Sequence, residues 1–183
     1  MSPTTRTFFL PFFLLTLLWS SEVFAADSGT CVDAGNPVGM YYSGTQLTGD
    51  EIMLLCTAHT DGVVNVTLSG TDAKDAIMKK LSGWYHWQIV SFPSTVADSG
   101  GPPPTDNADL EITERMTATI GLSLLGSKGT DFLDATTAKE TIFYNSFLGL
   151  YAYRMATVAR PWTIGATTVG NGGKFYLLFR RVP

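Results

Sequence analysis

The chain is 183 residues long, carries a formal net charge of −4 with a pI near 5.0, and only 15% of its residues are charged. The acidic balance excludes a general nucleic-acid binder, since neutralising phosphates takes a surplus of Lys and Arg. Cysteines and histidines number two each, with neither a CxxC nor an HxxxH spacing, which excludes a structural zinc site.

Residues 1–25 read as a secretory signal peptide: Arg6 supplies the positive charge, Phe8 to Trp19 the apolar core and Val23-Phe24-Ala25 the cleavage site. The apolar run is well short of the roughly twenty residues a membrane-spanning helix takes, and no later segment reaches that length. No membrane span is expected after cleavage. Residues 26–183 make one domain's worth of chain, enough to bury a core without metal help. Export would deliver it to a secreted, extracellular or periplasmic setting where disulfides persist, so Cys31 is expected to pair with Cys56. A buried free thiol and a bridge between chains are the alternatives.

Short β-rich runs divided by Gly, Pro, Asn and Asp form the pattern of a sandwich or barrel. Glu51 to His59 and Val63 to Leu68 flank Thr60-Asp61-Gly62, and Asp-Gly supplies the positive φ of a tight turn, which predicts a hairpin with Val64, Val66 and Leu68 on one face. A Thr/Asp cap, an acidic first turn, late lysines and a closing Gly predict a short helix near 72–81, with Ile77, Met78 and Leu81 buried. Trp84 to Phe92 is the strongest strand, with Tyr85, Trp87 and Ile89 alternating with His86 and Gln88 before Pro93. Ser94 to Asn107 is a long Gly/Pro loop, unable to be a core strand because proline lacks a backbone donor. Asp109 to Thr113 alternates again, and a Gly-rich stretch runs from Gly121 to Gly129. Lys139 to Phe147 reads as a strand, and Leu148 to Thr157 as strand or helix. Trp162 to Val169, a Gly170-Asn171-Gly172-Gly173 turn and Lys174 to Arg180 read as a closing hairpin. The predicted fold is one antiparallel β-sandwich domain, Ig-like or jelly-roll-like, with a single short helix.

Several of these segments, mainly within 84–183, carry a family likeness. They are Trp84 to Phe92 ending in Pro93, Pro104-Thr105-Asp106-Asn107 leading into Asp109-Leu110-Glu111-Ile112, Leu124-Leu125-Gly126, and Val169-Gly170-Asn171-Gly172 with Phe175 to Phe179. Together they resemble a family of small β-sandwich domains found among tailed-phage and prophage structural proteins. Where such domains carry an Asp-Gly-rich turn, this chain has Glu114-Arg115-Met116-Thr117. The resemblance implies a sandwich fold and a structural role, and no catalytic residues.

His59 and His86 are the side chains best suited to acid–base work near neutral pH, but one lies beside a turn and the other on the polar side of a strand. No Gly-x-Ser-x-Gly elbow frames a nucleophile, so no catalytic residue, cofactor or metal is assigned. Asp98, Asp106, Asn107 and Asp109, with Glu111, cluster in and after the Pro-rich loop. Oxygen ligands suit calcium, yet the EF-hand spacing is absent. These residues are read instead as a candidate binding loop, because recognition often sits on loops held by a rigid scaffold. Trp84, Tyr85, Trp87, Tyr151 and Tyr153 serve either as core or as a stacking platform for a sugar. Asn65-Val66-Thr67 fits the N-glycosylation triplet, inside a strand. The expectation is an exported, non-enzymatic structural or interaction subunit that self-associates or binds a protein partner through sheet edges and loops, with Phe175 to Phe179 either pairing with a neighbour by strand addition or buried within the domain. A glycan or small-ligand module using the 94–107 loop is the second reading. A hydrolase, which needs a His within reach of a nucleophile or carboxylate, is the third.

Overall fold

Alternation of apolar and polar residues decides which way each strand faces, and the faces decide how the strands stack. The computed structural model describes residues 27–35, 51–94, 100–115, 121–142, 154–156 and 160–182. The strands are β1 (Thr30–Asp33), β2 (Glu51–Thr57), β3 (Val64–Thr67), β4 (Gly83–Pro93), β5 (Asp109–Arg115), β6 (Gly121–Ser123), β7 (Lys139–Ile142), β8 (Arg154–Ala156), β9 (Trp162–Thr167) and β10 (Lys174–Val182), with helix α1 (Asp72–Leu81) between β3 and β4. They form two antiparallel sheets. One runs β1-β2-β10-β4-β7, with β8 also on β4, and the other runs β3-β9-β5-β6. This is the all-β sandwich with one short helix that the sequence predicts. The predicted signal peptide, Asp98, Tyr151, Tyr153 and the side chains of residues 84–87 lie outside the described residues.

Ile52, Leu54 and Cys56 of β2 and Phe175, Leu177 and Phe179 of β10 meet Val64, Val66, Leu110, Ile112, Trp162 and Ile164 of the other sheet in one core. Each large side chain buried this way contributes about 1.5–3 kcal/mol. Trp162 and Phe179 join the sheets, their ring centroids 6.1 Å apart. On the opposite face of the larger sheet, Tyr176 and Leu178 are buried with Met53 and Val90. The unbroken apolar run of β10 thus reflects a central strand buried on both faces.

The two predicted hairpins do not form. β2 pairs with β1 and β10, whereas β3 pairs with β9; likewise β10 pairs with β2 and β4, whereas β9 pairs with β3 and β5. Each tight turn is instead an arch that carries the chain from one sheet to the other. Asp61-Gly62 does make a local turn, with the His59 N–H on the Val63 carbonyl (2.9 Å) and the Gly62 N–H on the His59 carbonyl (2.9 Å). The strands then part, because Cys56 and Val64 each sit on an apolar face and both faces are buried only when the strands oppose each other across the core. The Pro-rich connection from β4 to β5 is a third arch. The three stack side by side, so that β2-β10-β4 in one sheet lies over β3-β9-β5 in the other.

Backbone bonds lock the arches together. The Val169 N–H reaches the Gly62 carbonyl (2.9 Å), the Ala58 N–H the Gly173 carbonyl (2.8 Å), the Thr105 N–H the Val169 carbonyl (3.0 Å) and the Lys174 N–H the Pro102 carbonyl (2.8 Å). Gly62, at φ +77°, packs backbone to backbone on Gly170, at φ +91°; a Cβ on Gly62 would lie 3.1 Å from the Gly170 nitrogen. Only glycine suits both demands at once.

On another side of the sandwich, Thr71 caps α1 by accepting the Lys74 N–H, Asp72 and Asp75 occupy the first turn and Lys79 and Lys80 the last. Its buried stripe is Ile77, Met78 and Leu81, as predicted. Residues 27–35 are tied down four ways. Ser28 exchanges two backbone bonds with Asn65 (3.0 and 2.7 Å), Asp27 pairs with Lys74, Asp33 pairs with Lys80, and the expected Cys31–Cys56 disulfide joins β1 to β2 inside the core.

Candidate binding face on the four-stranded sheet

The inward residues of the smaller sheet fix what its outer face shows. With Val64, Val66, Leu110, Ile112, Ile164 and Ala166 buried, the outer face carries Asn65 and Thr67 of β3, Thr163, Gly165 and Thr167 of β9, and Asp109, Glu111 and Thr113 of β5. Register aligns them in rows: Asn65, Gly165 and Glu111 in one, Thr67, Thr163, Thr113 and Ser123 in the next, and Thr167 beside Asp109. Over the first and last of these rows lies a trough of about 570 Å³, bounded by Val63 and Asn65 on one side and by Ser123, Gly126, Gly129 and Thr130 on the other.

Gly165 is the floor. Its backbone is not in the positive-φ region, and a Cβ there would make only ordinary contacts, 3.9 Å from Glu111 and 4.0 Å from the Val64 carbonyl. Neither conformation nor internal packing requires glycine at this position, and its presence mid-strand costs about 0.5–1 kcal/mol. Glycine inside a strand accompanies a bulge, a tight bend or the close approach of a ligand or another backbone, and the registers of β9 with β3 and β5 run through Gly165 without a bulge. Gly129 is the contrasting case, since a Cβ there would run into the Leu110 carbonyl; it lets the 3-10 turn Gly126–Gly129 press on β5 and wall the trough.

The polar groups of the trough are acceptor-rich. Asp109 and Glu111 alternate on β5, and among the described residues no Lys or Arg lines the trough. Asp109 Oδ1 accepts the Asp131 N–H (2.9 Å) and Glu111 Oε1 accepts the Thr113 hydroxyl (3.2 Å), so each carboxylate commits one oxygen within the described residues. Beside the trough, the Thr67 and Thr163 hydroxyls hydrogen-bond each other at 3.1 Å. The Asn65 side-chain amide makes no hydrogen bond among the described residues, although its backbone is held by Ser28.

Of the described residues that the sequence singles out in and after the loop, Asp109 and Glu111 reach this face. Asp106 Oδ1 accepts the Ala135 N–H (3.0 Å) and, like Asp109, ties the β4–β5 connection to the loop before β7. Asn107 takes a left-handed turn at φ 60°, a conformation Asn tolerates well. The Pro-rich arch is strapped down by Lys174, whose stem lies over Gly101, and by the Thr105 hydroxyl on the Thr168 carbonyl. Asp134 accepts the Thr136 and Thr137 N–H groups, which hold its carboxyl below its ordinary pKa. His59 is exposed, with Thr60 Oγ1 at 3.2 Å and Asp61 at 3.6 Å from Nδ1. Among the described residues no three His, Cys, Asp or Glu side chains gather as metal ligands, and no helix is long and apolar enough to cross a membrane.

Sequence reasoning placed Glu111 on a strand and in the acidic cluster after the Pro-rich loop, and Asn65 in a triplet, but passed over Gly165. The available signal was a lone glycine in the middle of the alternating run Trp162 to Thr167. No family model matches the chain, and neither does any curated protein or any solved structure.

Proposed function

We propose that the protein is an exported, non-enzymatic interaction subunit that receives a partner on the outer face of its four-stranded sheet. The observation that carries this is Gly165, a side-chain-free floor in a central strand that neither backbone conformation nor packing demands. The disulfide and the three bonded arches support the reading by giving that face a rigid frame. The likeness to phage-type sandwich domains agrees with a structural role. A catalytic role has less behind it, since His59 stands exposed beside a turn.

The test compares the oxidised wild-type protein with Gly165→Leu, by light scattering over a concentration series and as immobilised baits for proteins at the exterior of the producing cell. The reading expects an association, with itself or with a captured protein, that Gly165→Leu abolishes while circular dichroism stays that of wild type. An association that survives Gly165→Leu, or none at all, overturns it.

A second reading, a glycan site, is favoured by the hydroxyl and amide lining of Ser123, Thr130, Thr167 and Asn65. It moves from the 94–107 loop to the trough and predicts that a neutral saccharide, rather than a protein, competes for the face.

A further inference from the structure

We infer that the trough takes an extended basic segment of a protein partner, with Lys or Arg at alternate positions seated on Asp109 and Glu111 and its backbone laid over Gly165. This rests on the reading of the face as a binding surface and names what fits it. Asp109 and Glu111 are two residues apart on β5 and so about 6.8 Å apart along the strand. Alternate side chains of any extended segment have the same spacing, so a basic-x-basic stretch running along β5 matches both carboxylates at once.

The row at right angles supplies the rest. Asn65 and Glu111 stand two strand spacings apart, about 9.6 Å, with only Gly165 between them. A backbone can descend into that gap, and the Asn65 amide, both a donor and an acceptor, is placed to bind a peptide group there.

Charge decides the class of ligand. The other large cavity, about 550 Å³ between β1 and α1, has its acids Asp27 and Asp33 paired with Lys74 and Lys80 of this chain. Among the described residues the trough carries two carboxylates and no cation, which suits a partner that supplies the complement, and the chain's net charge of −4 favours approach by a basic one. Among the described residues no aromatic ring lines the trough to give a sugar face a stacking surface.

The test is amide NMR titration of the full oxidised protein. The probes are the capped peptide Thr-Arg-Val-Arg-Thr, its isomer with adjacent arginines, the Gln analogue, and a neutral methyl glycoside. The alternating-Arg peptide is expected to shift the amides of Asn65, Glu111, Gly165 and Thr167. Its affinity is expected to fall about tenfold from low salt to 0.5 M, since these charges are exposed to screening. Glu111→Gln, whose side chain is exposed, is expected to weaken binding about fivefold with the spectrum otherwise unchanged. Equal shifts from the Gln analogue or the glycoside overturn the ligand class while the binding face stands. Equal affinity for the adjacent-Arg isomer overturns the spacing argument. Trough amides that no probe moves, together with an association insensitive to Gly165→Leu, overturn both.

Discussion

Cys31 and Cys56 stand directly opposite one another on adjacent antiparallel strands, Cα to Cα 4.1 Å, with both side chains in the core. Their bridge closes a loop of sequence separation 25 and fixes the segment that also holds β3 and α1. Replacing both with alanine is expected to cost about 3 kcal/mol on the loop-entropy estimate. Urea denaturation of the double variant against oxidised wild type checks this through a lower midpoint.

Two glycines of the trough, Gly165 in its floor and Gly129 in its wall, separate function from packing. Gly165→Val adds a β-branched side chain where there is room, so stability is expected to rise by about 0.5–1 kcal/mol while binding at the trough is lost. Gly129→Ala forces a methyl into the Leu110 carbonyl and is expected to cost about 1–3 kcal/mol. Opposite shifts of the two denaturation midpoints are the result sought; a Gly165→Val midpoint below wild type would contradict the account of the floor.

The Gly62–Gly170 contact is tested by Gly62→Ala. Left-handed backbone costs a non-glycine residue about 1–2 kcal/mol, and here the methyl also meets the neighbouring arch. The thermal midpoint should fall, and amide exchange should quicken first at Val169 and Gly172, whose N–H groups bond the 59–62 turn. Unchanged protection there would show that the arches do not depend on each other.

Asp33 links β1 to the last turn of α1. Burial, the largest single influence, pushes its pKa up, but the Lys80 hydrogen bond, the Gly35 N–H and the Lys80 charge together outweigh it and hold the carboxyl below its ordinary value. A carboxylate with a depressed folded pKa stabilises fully above the ordinary value of about 3.9 and loses that contribution as pH falls through the lower, folded value. The ion pair is partly exposed, so the effect stays under about 1 kcal/mol. Asp33→Asn is therefore expected to flatten the stability profile below about pH 4 and leave its slope above pH 5 unchanged. Urea midpoints across that range decide it.

Local rules were legible where the physics is local. The cap at Thr71 and the stripe Ile77, Met78 and Leu81 gave the helix, and alternation gave β5. The expectation of export pointed to the disulfide. The arches were not legible, because an Asp-Gly turn looks the same whether its flanks lie side by side in one sheet or face each other from two. The clue was the apolar character of Tyr176 and Leu178 alongside Phe175, Leu177 and Phe179, which called for cover on both faces and neighbours on both edges. The trough was half legible. Glu111 and Asn65 fell on polar faces, but only register put them in one row with Gly165.

The stacking of the arches also sets the order in which the protein can assemble. β9 and β10 come last among the described strands yet hold the middle of both sheets, so Leu54 waits for Leu177 and Val66 for Ile164. Until they arrive, β2 with β1 stays apart from β4 with β7, and β3 stays apart from β5 with β6. Pairings this distant along the chain are slow to close. A nascent polypeptide of this design keeps the halves of both sheets apart until β9 and β10 emerge, and those two strands then close the sheets at their centres.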